Sequence, residues 1–344
     1  MTGLEVVHVI CTDNFAGAER YVRNGAVWLT AAGCRVTVVG GNEAAMRPEL
    51  EAAGAGWLPG ATVAQALRSL RRAGRPDVIN THMTAADVAG VIAGRRHGTP
   101  VVSTRHFAAP RGSSPTARLV ARGIRAGVAA QLAISEFVAD AADGPSVTVL
   151  SGVEPVPDVA AERRPTVLVA QRLEAEKDTA LALEAWARVA ADGVGDWRLA
   201  IAGRGAQRDE LAARARALGI AGSVDFLGHR DDIEALFRTA SVLLATAPAE
   251  PLGLTVLEAM AHGLPVVAAA RGGHLETVGT VHGAALFPPG DADAAAQALA
   301  RLMANPGERA RYGATLRAHQ REHLTAARQI EGTLRLYREA VRSR

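Results

Sequence analysis

The alternation of short apolar runs with helical stretches constrains the fold more than any other feature of this chain. Runs such as "EVVHVICT", "CRVTVVGG" and "DVINTH" are each followed by a segment with helical periodicity. Strands that are separated by helices form parallel sheets, because each connection must cross back over the sheet before the next strand begins. The sequence therefore predicts an α/β protein built on doubly wound, Rossmann-like sheets.

The alternation is interrupted once, which predicts two domains. Residues 154–165, "EPVPDVAAERRP", are rich in proline and charge and show no apolar periodicity, as is typical of a linker. A chain of 344 residues also exceeds one ordinary hydrophobic core. We predict an N-terminal domain over 1–157 and a C-terminal domain over 158–324. The last helix, 325–344, has no strand after it and is expected to pack back on the first domain.

Composition excludes several classes of protein. The chain is 49% hydrophobic and 21% charged, which fits a globular protein, and its net charge of +3 is too small to indicate nucleic-acid binding. The N-terminus lacks a basic start and a cleavable apolar stretch, and no run of about 18 apolar residues occurs. Cys11 and Cys34 have no metal-ligand spacing, which favours reduced thiols. We therefore expect a cytoplasmic protein.

The segment "AEPLGLTVLEAMAHGLPVV" contains the strongest candidate site. Glu250 follows an apolar strand, and Leu252 and Gly253 lead into a helix that begins near Leu254. The free amides and the positive dipole end at the start of a helix can bind phosphate. At about 100° per residue, the helix has one narrow polar strip. This strip consists of Thr255, Glu258 and His262.

Glu250 and Glu258, with seven residues between them, resemble the Glu-x7-Glu signature of retaining glycosyltransferases of family 4, which have the two-domain GT-B fold. Further segments resemble elements of that family in the same order: "FAGAER", "STRH", "LSGVEP", "VAQRLEAEKD" and "RGGHLETV". The resemblance implies transfer of a hexosyl-type sugar from a nucleotide-diphosphate sugar to a hydroxyl acceptor. It favours a UDP-sugar, with a GDP-sugar second, and implies that neither a metal nor another cofactor is required.

The resemblance also implies roles for individual residues. Arg172 and Lys177, which is the only lysine in the chain, would neutralise the charge that grows on the diphosphate as the nucleotide leaves. Glu250 would hold hydroxyls of the donor sugar, Glu258 would accept from the ribose hydroxyls, and His106 would reach the sugar near its 6-hydroxyl. The remaining donor-binding candidates are Gly17, Gly203, Arg204, His229, Arg230, Leu252, Gly253 and Leu254.

Four positions depart from the family pattern. Ala16 stands at the first of two usual glycines, so a methyl group is expected to crowd the loop before Gly17. Gln171 replaces a usual glycine before Arg172. The other two departures are Ser151 and Glu154, which replace the usual Asn and Asp of the interdomain turn. None of these changes removes a charged ligand of the diphosphate, but they leave loop conformation and donor affinity open.

Three alternatives stay open. A metal-dependent transferase with the other common fold needs an Asp-x-Asp site, for which "GDADA" at 290–294 has the letters, although an aspartate that opens a helix is an ordinary N-cap. A GT-B-fold epimerase or phosphorylase lacks the Glu-x7-Glu segment, and a phosphorylase also needs a Schiff-base lysine. A nucleotide-sugar-binding protein without turnover would need the same donor-binding residues.

A candidate acceptor surface lies in the N-terminal domain. Arg118, Arg122 and Arg125 share one face of a predicted helix over 116–127, and Arg105 and Arg111 precede it. These arginines form either a solvated cationic face or a patch that attracts an anionic acceptor or membrane surface. The apolar side of this helix is small enough to be ordinary core and consists of Leu119, Val120 and Ile124. We expect at most peripheral membrane contact, and the acceptor (a glycan, a lipid-linked sugar or a small molecule) is not identified.

Overall fold

The chain folds into two compact units. The computed structural model describes residues 3–111, 115–157, 162–191 and 193–343, without the side chains of 115–118. One unit comprises Met1–Ser151 and Ala326–Arg344, and the other comprises Gly152–Thr325. Part of the predicted linker, residues 158–161, lies outside the described residues.

The described residues of the first unit form a seven-stranded parallel sheet. Its strands are β1 (Glu5–Ile10), β2 (Arg35–Gly40), β3 (Gly56–Leu58), β4 (Val78–His82), β5 (Val101–Arg105), β6 (Ala130–Ala133) and β7 (Val147–Thr148). The helices between them are α1 (Gly17–Ala31), α2 (Glu43–Ala52), α3 (Val63–Ala73), α4 (Thr84–His97), α5 (Pro115–Arg125) and α6 (Glu136–Asp140). The spatial order is β3-β2-β1-β4-β5-β6-β7, so the winding direction reverses between β1 and β4.

Local sequence explains why these elements form and pack closely. Strand β1, in the interior of the sheet, is buried at every residue but the first, and burial on both faces accounts for its nearly continuous apolar run. Asn42 and Thr62 cap α2 and α3 by accepting hydrogen bonds from the amides of Ala45 and Gln65. Gly90 brings α4 close to the sheet, because a Cβ at this position would lie 2.2 Å from Thr81 Cγ2.

The described residues of the second unit form a six-stranded parallel sheet. Its strands are β8 (Thr166–Ala170), β9 (Arg198–Ala202), β10 (Val224–Gly228), β11 (Val242–Ala245), β12 (Val266–Ala269) and β13 (Ala285–Phe287). Its helices are α7 (Thr179–Ala190), α8 (Arg208–Ala217), α9 (Ile233–Thr239), α10 (Leu254–Ala261), α11 (Gly273–Thr277), α12 (Ala292–Ala304) and α13 (Pro306–His323). The order is β10-β9-β8-β11-β12-β13, which reverses between β8 and β11.

The last helix, α14 (Ala326–Arg342), belongs to the first unit although it follows the second in the chain. Its Tyr337 is fully buried, and the side chain of Gln329 forms a hydrogen bond with Tyr21 of α1. Gly332 lies so close to Val149 that a Cβ there would be 3.0 Å from Val149 Cγ1. The first unit is therefore completed by residues from both ends of the chain.

The predicted α/β class with doubly wound sheets is confirmed in both units. Among the described helices, four were not predicted from the sequence: α3, α6, α9 and α11, each of which connects two successive strands. Within the described ranges, no helix combines the length and the hydropathy that crossing a bilayer requires.

Candidate functional site

The reversal of strand order in the second sheet brings together three predicted site residues. In doubly wound sheets, ligands bind beyond the carboxyl ends of the strands at the point of reversal, because the helices there diverge to opposite faces. Here that point lies between β8 and β11. Arg172 and Lys177 follow β8, and Glu250 follows β11.

Lys177 and Glu250, which are 73 residues apart in sequence, form an ion pair at this edge. Lys177 Nζ donates to Glu250 Oε2 at 2.5 Å, and each side chain is 17% exposed. A pair this far withdrawn from solvent is screened less than a surface pair. Each charge also has a desolvation cost that its partner offsets, so losing one partner leaves the other charge poorly compensated.

A small polar network holds the backbone of Lys177 against the sheet. The amide nitrogen Nε2 of Gln171 lies 3.0 Å from the carbonyl oxygen of Lys177, 2.9 Å from Thr179 Oγ1 and 3.0 Å from Thr246 Oγ1. Its two hydrogens can serve only two of these three acceptors at a time. Thr246 Oγ1 itself donates to the Lys177 carbonyl at 2.8 Å. Gln171, a departure from the family pattern, therefore anchors the 3₁₀ turn Ala175–Lys177.

Arg172 is held much more loosely. Its side chain is 55% exposed and pairs with the exposed Glu176 four residues later, at 2.5 Å. The pKa of Glu176 is lowered, first by a hydrogen bond with its own backbone and, less strongly, by Arg172. Exposed pairs of this kind contribute at most about 1 kcal/mol, so the guanidinium can exchange partners at little cost.

The start of α10 lies directly after Glu250. Gly253 is the N-cap and has φ +94, a left-handed conformation that favours glycine. The carbonyl of Glu250 accepts from the amide of Gly273 at 2.8 Å, which ties this turn to the start of α11. Leu252 is buried beneath it. Backbone amides at the N-terminus of α10, including that of Leu254, have no partner within the helix.

Glu258 lies one turn further along the same helix. Its side chain is half-buried, as are Thr255 and His262, whereas the rest of α10 beyond Leu254 is buried. His262 Nδ1 donates to the Glu258 carbonyl at 2.8 Å. The strip predicted from helical periodicity is therefore the part of α10 that other groups can reach.

His274, within the segment "RGGHLETV", was not among the site residues predicted from the sequence. This imidazole is buried, and burial lowers its pKa, while the nearby Glu250 acts in the opposite direction. Its Nδ1 donates to the Ala269 carbonyl at 3.0 Å, so the neutral ring carries its lone pair on Nε2. The available signal was its position just after an apolar strand, β12.

Local contacts account for three of the four candidates at the ends of β9 and β10. A Cβ at Gly203 would lie 1.9 Å from the Gln171 carbonyl oxygen, so this glycine is needed for the packing of two neighbouring loops. Arg204 is exposed.

Arg230, after β10, forms two hydrogen bonds to Asp232, at 2.7 and 2.6 Å. His229, also exposed, lies 3.3 Å from Asp231. The side chains of His229 and Arg230 thus contact aspartates of their own loop.

In the first unit, Gly17 opens α1 immediately after the loop that follows β1. It is exposed, and a Cβ there would meet no described atom within 4 Å. Packing within the described part of the protein therefore does not explain the glycine. Ala16 is also exposed, and its amide donates to Glu19 Oε2 at 2.9 Å, which caps the helix.

His106 follows β5 and is the first of three histidines joined by hydrogen bonds. His106 Nε2 lies 2.9 Å from His82 Nδ1, and His82 Nε2 lies 2.9 Å from His8 Nδ1. Burial lowers the pKa of His8 to about 4 and, with help from Arg105, that of His106 to about 3. Of these three histidines, only His106 was predicted from the sequence as a site residue, although His82 ends a strand that the sequence predicts.

The predicted cationic patch needs correction. Arg111 is fully buried, donates to Asp87 at 2.7 Å and Asp143 at 2.6 Å, and is part of the structural core. Arg105 is also buried, and burial lowers its pKa. Neither residue can belong to a solvated patch, because each is enclosed by the polar groups that it contacts. Arg122 and Arg125 are exposed.

The apolar side of α5 also differs from the prediction. Ile124 is buried, but Leu119 is 71% exposed and Val120 is 50% exposed, so they do not belong to the core. The side chain of Arg118 lies outside the described residues. The helix therefore presents Leu119, Val120 and Arg122 to solvent.

The segment "GDADA" behaves as expected for a helix start. Asp291 is the N-cap of α12, and its side chain accepts from the amide of Ala294 at 2.8 Å. Among the residues that the structure describes, no group of three or more His, Cys, Asp or Glu side chains is arranged to hold a metal ion.

Comparison with known proteins identifies the family. Residues 155–319 match the family model "Glycosyl transferases group 1", and residues 15–144 match "Glycosyltransferase Family 4". The 2-deoxystreptamine N-acetyl-D-glucosaminyltransferase of Streptomyces fradiae is 30% identical over 70% of this chain and 66% of its own length. The D-inositol 3-phosphate glycosyltransferase of Salinispora arenicola is 38% identical over 38% of this chain and 29% of its own length. In the first curated relatives that it matches, the chain spans less than a third of the relative's own length.

The fold comparison covers nearly the whole chain. The crystal structure of Anabaena HepE in complex with UDP has a TM-score of 0.81 at 20% identity, over 98% of this chain and 100% of HepE. The predicted GT-B class, with two Rossmann-like units in one chain, is confirmed. The two family models together match most of the chain in the order that the sequence motifs predict. The chain therefore belongs to the family-4 type of glycosyltransferases.

Proposed function

We propose that this chain is a retaining glycosyltransferase that moves a hexosyl-type sugar from a nucleotide-diphosphate sugar to a hydroxyl acceptor without a metal ion. A UDP-sugar is favoured, with a GDP-sugar second. The observation that carries the proposal is the Lys177–Glu250 ion pair at the reversal of the second sheet. Structures of Anabaena HepE, which has a similar fold, contain UDP and UDP-glucose, and this supports a UDP-sugar donor.

In this proposal the donor replaces both halves of the ion pair. The ammonium of Lys177 moves from Glu250 to the diphosphate, and the Glu250 carboxylate then accepts from hydroxyls of the sugar. Each charged group gains a new partner when it loses the old one, so neither remains buried without compensation. As the glycosidic bond breaks, negative charge grows on the leaving nucleotide, and a preformed cation stabilises that charge.

The remaining candidates complete the donor site. Arg172 leaves the exposed Glu176 for the diphosphate at little cost. The amides at the start of α10 bind a phosphate or sugar oxygen, and Glu258 accepts from the ribose hydroxyls. His106 contacts the sugar, and Gly17 lets the backbone approach a phosphate because it has no side chain.

Retention is proposed to occur on one face of the sugar without an enzymic nucleophile. A nucleophile would have to be a carboxylate at a strand end, in line for attack on the sugar. In the first unit, Asp13, in the exposed loop after β1, comes nearest to such a position. NMR of the product distinguishes the outcomes, because the configuration of the new anomeric centre is read directly. An inverted linkage would contradict the proposed mechanism.

The first experiment identifies the donor. A ligand that binds only the folded state raises the melting temperature. We expect the largest increase with a UDP-sugar in a panel that also contains GDP-, ADP- and dTDP-sugars. Release of free nucleotide that depends on an acceptor then separates a transferase from a protein that only binds its ligand. Activity should persist in EDTA, and a complete loss that Mg²⁺ restores would contradict the metal-independent mechanism.

Substitution of the two cations tests their role. We expect Lys177→Ala and Arg172→Ala each to lower turnover by about 10²–10³-fold, the scale of losing one preorganised electrostatic contact. Arg198→Ala is the matched control, because Arg198 is a half-exposed, ion-paired arginine at the opposite, amino end of β9. Wild-type turnover in Lys177→Ala, with unchanged melting temperature, would overturn the assignment of the ion pair.

A further inference from the structure

Two histidines that the proposed mechanism does not use lie behind His106. His8 belongs to β1, His82 ends β4, and His106 follows β5. All three imidazoles are buried, and their rings are joined in sequence by the two 2.9 Å contacts described above. Because β1, β4 and β5 are neighbours in the sheet, the three rings form a row that crosses these strands towards their carboxyl ends.

The tautomers of the three rings are correlated, because each contact in the row needs one nitrogen that donates and one that accepts. Burial lowers the pKa of all three, so they are neutral at pH 7. A neutral imidazole donates through one nitrogen and accepts through the other. If His82 donates through Nδ1 to His106, its Nε2 must accept from His8. If it donates through Nε2 to His8, its Nδ1 must accept from His106. The row therefore has two self-consistent arrangements.

The ring nitrogen at the His8 end of the row distinguishes the two arrangements. His8 Nε2 is buried and has no hydrogen-bond partner among the described residues. In the first arrangement this nitrogen carries a lone pair, and in the second it carries an N–H. Orphaned N–H groups are rarer in protein interiors than acceptors that lack a donor, so the first arrangement is favoured.

The side chain of Tyr21 helps to hold the row in place. Its ring packs edge-on against His106 at a centroid distance of 4.9 Å and against His82 at 6.0 Å. The Tyr21 side chain forms a hydrogen bond with Gln329 of α14, and burial raises its pKa, so it stays a neutral phenol. This packing restricts rotation of His82 and His106 and preserves the contact between them.

We infer that His8 and His82 are positioning residues that fix the tautomer of His106, with the proton on Nδ1 and the lone pair on Nε2. His106 then offers its ligand a hydrogen-bond donor and not an acceptor. The consequence for sugar transfer rests on the proposed function, in which Nδ1–H of His106 donates to an oxygen of the donor sugar. The tautomer itself is a property of the protein without substrate.

The direct test is NMR of the full chain with ¹⁵N-labelled histidine. Long-range ¹H–¹⁵N correlations separate protonated from unprotonated ring nitrogens, and His106→Gln, His82→Asn and His8→Asn assign the signals. We expect His106 to be protonated on Nδ1 and unprotonated on Nε2. A wild-type spectrum in which Nε2 of His106 carries the proton would overturn the inference.

Two variants of His82 test whether it sets the tautomer. His82→Asn keeps an N–H donor at the same number of bonds from Cα as Nδ1, whereas His82→Leu removes it. We expect the Nδ1–H form of His106 to persist in His82→Asn and to be lost in His82→Leu. An unchanged His106 spectrum in His82→Leu would contradict the role of His82. If His82→Leu does not fold, His8→Leu replaces it, since it leaves His82 Nε2 without a donor.

Turnover separates this inference from the proposed function. We expect His82→Leu to lower kcat by about 10–100-fold, as for partners that orient functional histidines elsewhere, and His82→Asn to restore most of it. If the spectra are as expected but His106→Ala keeps wild-type turnover, His106 has no role in transfer and the tautomer assignment stands. If His106→Ala is inactive but the tautomer is reversed, the positioning role is wrong and the proposed function stands.

Discussion

The buried histidine row should make the first unit sensitive to acid, and His8→Leu isolates one part of that effect. The pKa of His8 is lowered from 6.5 to about 4 in the folded chain. Between these two values the unfolded chain binds a proton that the folded chain does not. The contribution of neutral, buried His8 to the free energy of unfolding is therefore fully present above pH 6.5 and decreases as the pH falls towards 4.

The size of the effect follows from the two pKa values. One such histidine changes the free energy of unfolding by at most about 1.4 kcal/mol per pH unit. Between pH 7 and pH 5, His8 alone should lower it by about 2 kcal/mol. His8→Leu will be less stable than wild type at pH 7, because His82 Nε2 loses its donor. It should nevertheless lose about 2 kcal/mol less than wild type between pH 7 and pH 5.

Urea unfolding at pH 7 and pH 5 measures the loss in free energy of unfolding for wild type and for His8→Leu. Hydrogen exchange of peptides that contain β1 and β4 then shows whether the difference arises in the first unit. His229→Leu is the control, since His229 is exposed in the second unit and should leave these curves unchanged. Other acidic and basic groups also respond to pH, but they are common to both chains. Equal losses in wild type and His8→Leu would contradict the assignment of this acid sensitivity to His8.

Three further predictions concern other parts of the molecule. Arg111→Met should lower the free energy of unfolding by about 3–5 kcal/mol in urea titrations, because Asp87 remains buried without its cation, whereas Arg122→Met should change it little. A loss as small as that of the control would contradict the assignment of Arg111 to the core. Gln171→Gly should speed hydrogen exchange in the turn Ala175–Lys177 and weaken donor binding in a thermal-shift titration, and unchanged exchange would show that the amide network does not anchor the turn. Sedimentation with anionic liposomes should show, at most, binding at low salt that is lost above about 0.5 M salt, and binding that persists would contradict a purely electrostatic contact.

Local patterns explain which features the sequence predicted well. The alternation of strands and helices, the N-cap at Asp291 and the polar strip with Glu258 each depend on residues within one or two turns of each other. Helical and strand periodicities and capping preferences act over that distance, so they can be interpreted before any strand is placed. The burial of Arg111 was missed because its partners, Asp87 and Asp143, come from distant segments.

The α/β class, the two-fold repetition of the strand–helix pattern and the family-4 resemblance of the motifs all follow from local sequence. The contact of Lys177 with Glu250 and the row that His8 and His82 form with His106 depend on the tertiary fold. Each of these contacts joins segments that no local pattern relates, and the order of the strands in the sheet brings them together. Strand order is set by how the helices cover both faces of a sheet, a global packing property that periodicity along the chain does not contain.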